Sequence, residues 1–283
     1  MTLTVERAPF APTSSGCFNV QIDRTREVLF WDPVPHRVRA ILSGETIVDS
    51  RSVVLLHETG RLPVYYFPRD DVSVGLLEAS EHRTECPHKG RASYWSVRVG
   101  DRVAREAIWE YPEPVESASF LAGYLALDWH AFDEWFVEDE QAFGHPRDPY
   151  TRIDVYKSTV HVRVLMDEEV LADSRRAKIL FETSLPPRYY LPAADVRTEL
   201  LVPSSTKSRC AYKGSASYWH VRLRDRLIED LVWSYPDPQH DGKPVRDLFC
   251  FFNERVDLEL DGVLSGRPST RIVERGRESG LVR

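Results

Sequence analysis

The sequence predicts a mainly β protein built from two tandem copies of one domain, with few short helices. Three observations carry this reading. Residues 86–98, CPHKGRASYWSVR, recur as residues 210–222, CAYKGSASYWHVR, 124 positions later, and such self-similarity is the first thing to settle in a fold. Apolar and polar residues alternate in matching places in both copies, which is the period of a half-buried strand. Helical periodicity is weak throughout.

The same shift superposes Asp49-Ser50-Arg51 on Asp173-Ser174-Arg175, Glu58-Thr59 on Glu182-Thr183, and Tyr65-Tyr66 on Tyr189-Tyr190. It also carries Trp109 to Trp233, Tyr111-Pro112 to Tyr235-Pro236 and, without a gap, Asp133 to Asp257. In order, residues 1–37 form an N-terminal arm, and Phe30-Trp31 imply that it packs on the first domain. The first domain spans 38–140. It begins with a hairpin, Val38–Leu42 and Thr46–Val48 around Ser43-Gly44-Glu45; its copy is Val162–Met166 and Val170–Ala172. Short turns are expected after Pro68 and Pro192.

In the repeated strand, Ser93, Trp95, Val97 and Val99 share one face and Ala92, Tyr94, Ser96 and Arg98 the other. The first is expected to be core and the second half polar. Gly100-Asp101 and Arg224-Asp225 are hairpin tips leading into strands with Trp109 and Trp233, which prolines 112, 114, 236 and 238 are expected to end. Residues 141–161 form a linker, marked by the Gly and Pro of Gln141–Pro149. The second domain spans 162–262 and closes on the alternating strand Val256–Gly262, whose counterpart is Phe132–Phe136. Residues 263–283 form a Gly-, Ser- and Arg-rich tail.

Composition sets bounds on function. With 44 acidic against 37 basic residues and a formal charge of −7, the chain lacks the basic footprint of nucleic-acid binding. No apolar run approaches the ~20 residues that cross a bilayer, and Met1–Gly16 has no secretory pattern. Four cysteines without a Cys-x-x-Cys pair fit a reducing cytoplasm. No Gly-x-x-x-x-Gly-Lys phosphate loop occurs, nor a Gly-Ser followed by an Asp-x-Asp pair.

The Asp-Ser-Arg stretch, the paired tyrosines, the Lys-Gly-x-x-x-Tyr-Trp-x-Val core and the late Trp-x-Tyr-x-x-Pro occur in order in each copy. On these motifs each copy resembles the domain of unknown function family 427, over about 38–138 and 162–262. The resemblance implies a β-tent-like fold, similar to methionine sulfoxide reductase B and the ligand-binding domain of cereblon. It brings no established activity.

Candidate chemistry lies around the repeated motif. Lys89 and Lys213 either sit at a pocket mouth, as anion binders or nucleophiles, or are solvated on turns made by the next glycine. Cys86 and Cys210, three residues upstream, are either reactive thiolates beside an ammonium or small buried hydrophobes. Tyr94, Trp109 and Tyr111, with Tyr218, Trp233 and Tyr235, either form a cage for a planar or cationic ligand or fill a core. Arg98, Arg222 and His220 complete the half-polar face. Glu58, Glu182, Asp49 and Asp173 either provide general acid or base groups or, as the default expectation, pair with the retained arginines Arg51, Arg175, Arg98 and Arg222. No metal or other cofactor is implied, since Tyr212 replaces His88 in the second copy; His130, His145 and His161 receive no role. The expected function is binding, or transformation, of a small organic molecule in an aromatic-lined pocket of each repeat. The alternative is a protein-interaction module without catalysis.

Overall fold

Strands form where β-branched and aromatic residues alternate with polar ones, and the computed structural model describes residues 17–21, 23 and 26–268. The chain divides into two units at Asp148 and Pro149. Both are mainly β, and helix is confined to short 3₁₀ turns such as Arg69–Asp71 and Ala193–Asp195, directly after Pro68 and Pro192 as expected.

In the first unit the strands are β1 (Leu29–Pro33), β2 (Val38–Leu42), β3 (Glu45–Ser50), β4 (Val54–Glu58), β5 (Val64–Pro68), β6 (Leu77–Cys86), β7 (Gly90–Val99), β8 (Arg102–Glu110), β9 (Tyr124–Leu127), β10 (Glu134–Val137) and β11 (Glu140–Ala142). A seven-stranded sheet runs β1-β4-β5-β9-β8-β7-β6, and a four-stranded one runs β11-β10-β2-β3. The second unit comprises β12 (Ile153–Lys157), β13 (Val162–Met166), β14 (Glu169–Ser174), β15 (Lys178–Glu182), β16 (Arg188–Leu191), β17 (Leu201–Cys210), β18 (Gly214–Leu223), β19 (Arg226–Pro238), β20 (Phe249–Phe251), β21 (Asp257–Leu260) and β22 (Val263–Ser265). Its sheets, β12-β15-β16-β20-β19-β18-β17 and β14-β13-β21-β22, repeat the same topology.

The elements reach further than the alternation implied. Phe30-Trp31 belong to β1, which pairs with β4 at the sheet edge. Within the expected linker, β12 pairs with β15 in the same way, and β22 extends the last hairpin into the expected tail. Residues 1–16 and 269–283 of the expected arm and tail lie outside the described residues. Pro236 does not end β19 but lies within it; the strand ends at Pro238. Register also corrects one correspondence: Glu134 pairs with Ile41 and Asp257 with Leu165, so Asp257 matches Glu134, not Asp133.

Each large sheet is covered on both faces. One core of the first unit lies between the sheets, with Val38, Ala40, Leu55, Phe67, Val97, Ile108 and Trp135. A second lies on the opposite face, where Ala118 and Leu121 of the 3₁₀ turn Glu116–Leu121 cover Leu56, Tyr66, Ala92 and Tyr111. The expected division of β7 into a core face and a half-polar face is therefore corrected. On the face expected to be half polar, Ala92 is fully buried, Tyr94 and Ser96 are half-buried, and Arg98 is exposed.

The motifs retained between copies are ties in this frame. Ser50 Oγ donates to Asp71 Oδ2 at 2.5 Å and accepts the Ser52 N–H; Ser174, Asp195 and Arg176 repeat the arrangement. Gly90 and Gly214 have φ of +101° and +96°, and the chain around the second proline of each pair, at Pro114 and Pro238, crosses directly against them. A Cβ on Gly214 would lie 2.7 Å from the Gln239 backbone nitrogen.

Gly214→Ala should therefore lower stability by about 1–3 kcal/mol or more, since strain and a backbone clash add; urea denaturation reads this directly. His57, fully buried on β4, stacks with Phe30 and has Asp32 at 3.7 Å. Burial holds its pKa below the usual value, against the pull of Asp148 and Asp32. The unfolded chain thus takes up this proton first, and stability falls as pH drops below about 6.5. His57→Phe, the residue at the matching position 181, should flatten that slope in denaturation measured at pH 8 and pH 5.5.

Candidate functional site

The repeated lysine lies on the β6–β7 turn, just before the glycine that admits the crossing chain. Lys89 is only 7% exposed. Its Nζ donates to Glu58 Oε1 at 2.5 Å and lies 5.6 Å from the centre of the Tyr111 ring. In the second unit Lys213, again buried, donates to Glu182, which is half-buried. Burial opposes the charge on Lys213, but Glu182 and the Cys210 thiol outweigh it, and its pKa is raised. Both lysines are thus ion-paired, and neither is the free group expected at a pocket mouth. Glu58 and Glu182 pair with these lysines rather than with the retained arginines.

The pair also shapes the sheet. Four interstrand steps separate β4 from β7, roughly 19 Å in a flat sheet at ~4.8 Å per step. That exceeds the reach of the two side chains, so the sheet must curl around the second core. Tyr66 and Tyr111 line that interior and are 1% and 5% exposed; burial raises both pKa values. Tyr190 and Tyr235 behave alike. Cys86 packs against this core and, like Cys210, is partly buried.

Other expected site residues are dispersed. Tyr94 shares a hydrogen bond with Thr84 at 2.9 Å, and Tyr218 with Ser208 at 2.7 Å. Arg98 forms an exposed ion pair with Glu78. It stands at the opposite end of β7 from Lys89, about 30 Å along the strand at ~3.3 Å per residue, so the two cannot share a pocket. Arg222 is likewise exposed near the far end of β18. His220 Nδ1 accepts the N–H of Asp230, a residue with φ of +46°, as Ser96 Oγ accepts that of Glu106 at +51°. These two side chains hold β-bulges and do not face a site. Asp49 bonds Arg37, and Asp173 bonds His161 and Arg163. Among the described residues no group of three or more His, Cys, Asp or Glu side chains could hold a metal ion.

Of the expected aromatic set, Trp109 lines a cleft. The cleft measures about 160 Å³ and forms where β9 ends between β5 and β8. Val64, Tyr65, Trp109, Asp128, Trp129 and Trp135 line it, with His130 beside them. Trp129 and Trp135 stack at 4.5 Å with ring planes 6° apart, and Trp135 Nε1 donates to the Trp129 carbonyl at 2.9 Å. Asp128 accepts the His130 N–H and so fixes the turn that carries Trp129.

The second unit fills the matching place differently. Asp128 N bonds Ala107 O and Ala131 N bonds Asp128 O, while Phe252 N bonds Leu231 O and Arg255 N bonds Phe252 O. Phe252, Asn253 and Glu254 therefore match Asp128, Trp129 and His130. Arg188, at the position of Val64, makes a two-pronged pair with Glu254, both bonds 2.7 Å. Its guanidinium lies 5.6 Å from the Trp233 ring centre, and Phe252 packs on the same ring at 4.5 Å. Trp233 is 6% exposed and donates to Tyr190 Oη.

Fold and site thus define a duplicated, mainly β protein with a cleft bearing tryptophans in its first repeat. The chain belongs to the family described as Domain of unknown function (DUF427), which matches residues 31–138 and again 154–262. No curated protein matches it. Among the described residues no helix is long and apolar enough to cross a membrane.

Removing one partner of a buried ion pair strands the other charge, at about 3–5 kcal/mol. Lys89→Met should show this loss in urea denaturation. Lys89→Met with Glu58→Leu should regain most of it, and a double variant as unstable as the single one would mean that the pair is not the source.

Proposed function

We propose that this protein binds a small organic molecule in the aromatic cleft of its first repeat, and that the second repeat serves as a structural copy. The observation that carries this reading is the cleft itself. Three tryptophans and a tyrosine line a concavity with few polar groups, the composition typical of small-molecule sites. Its volume is close to that of an apolar cavity of ~150 Å³ that accepts benzene, so one ring or a compact branched group would fill it. Binding is favoured over catalysis, because Lys89 and Lys213 are held by carboxylates. The four cysteines, all free, suit a reducing compartment such as the cytoplasm.

Untargeted mass spectrometry of the purified full chain should detect a co-purifying small molecule. Trp129→Ala should lose it while keeping the far-UV and near-UV spectra of a folded protein. A stoichiometric protein partner in pull-downs, with no small molecule in either sample, would overturn the reading in favour of an interaction module.

A further inference from the structure

We infer that the ligand of the first-repeat cleft is an organic cation, an alkylammonium or guanidinium group. This rests on the binding reading above and specifies the chemistry of that site. The second repeat supplies the argument, because it holds a cation of its own at the matching place. There Arg188 presents its guanidinium to Trp233, the counterpart of Trp109, and Glu254 neutralises it. In the first repeat these positions carry Val64 and His130, which can supply neither the cation nor its fixed anion. What remains is the ring of Trp109, joined by Tyr65, Trp129 and Trp135, and one carboxylate, Asp128, on the exposed turn.

The electrostatics of the lining agree. No Lys or Arg occurs among the described residues that line the cleft, whose ionisable side chains besides Tyr65 are Asp128, His130 and His145. Aromatic faces attract cations through their quadrupole, tryptophan most strongly, and the contact gains when it is desolvated. Asp128 adds an opposite charge at the rim, where it favours cations over neutral molecules of equal shape. The second repeat carries neither Asp128 nor Trp129 at the matching positions. Phe252 replaces Asp128 and Asn253 replaces Trp129, as suits a site already occupied by its own side chain.

The test compares choline and methylguanidinium with 3,3-dimethylbutan-1-ol, the uncharged carbon isostere of choline, by tryptophan fluorescence and calorimetry on the full chain. The cations should bind about 3- to 30-fold more tightly than the isostere, the range of one cation–π contact. Val64→Arg with His130→Glu, which transplants the second repeat's pair, should abolish cation binding. Asp128→Asn, an exposed change that keeps the turn's acceptor, should weaken the cations and leave the isostere unchanged; it serves if the double variant does not fold. An isostere that binds as well as choline overturns the inference and leaves the binding reading intact. Binding of none of the three probes also overturns the inference, and the co-purification experiment then judges the binding reading by itself.

Discussion

A buried ammonium must be met by a carboxylate, and the geometry of each repeat follows from meeting that demand. Lys89 is anchored on the β6–β7 turn and Glu58 at the end of β4, with β5, β9 and β8 between them in the sheet. The two charges can pair only if the sheet curls until its distant strands face each other. Curling encloses Tyr66, Ala92 and Tyr111, which then pack under the Glu116–Leu121 turn. Gly90 completes the arrangement, since only a residue without Cβ lets the chain at Glu113–Val115 cross so near the lysine. Lys213, Glu182 and Gly214 repeat all of this.

The two repeats therefore share a frame and differ at its opening. Residues held in common are those that tie strands together: the Ser–Asp bonds, the Lys–Glu pair, the crossing glycine, the buried tyrosines. Where β9 or β20 ends, the frame makes no such demand, and the side chains there have diverged. One repeat fills the gap with Arg188 and Glu254 against Trp233; the other leaves Trp109, Trp129 and Trp135 around a cleft. An ion pair this well buried is costly to desolvate and needs close geometry to compensate, which the two-pronged Arg188–Glu254 contact provides.

This explains why residue comparison within the chain located the frame more readily than the site. Lys89, Cys86, Tyr94 and Tyr111 recur between the copies, and each bonds or packs within the frame. Trp129 and Trp135 have no aromatic counterparts in the second copy, so the same comparison passed over them. Their one legible signal was the spacing Trp-His-Ala-Phe-Asp-Glu-Trp, an aromatic cluster directly after a short apolar strand. The bonds made by Ser96 and His220 are hidden in the sequence for a different reason. Alternation places them on a half-polar face, but the bulges opposite them at Glu106 and Asp230 cannot be read from period alone.

By itself the sequence determined the duplication, the mainly β class, the hairpins and the family, because these depend on local period and on residues repeated at a fixed distance. Only the tertiary structure decided which lysine meets which glutamate, that β1 and β12 complete the large sheets, and where a cleft opens. Those outcomes depend on strand order and sheet curvature, which bring together residues dozens of positions apart. A sequence records the side chains that make such contacts, but the distances between them exist only once the sheet has curled.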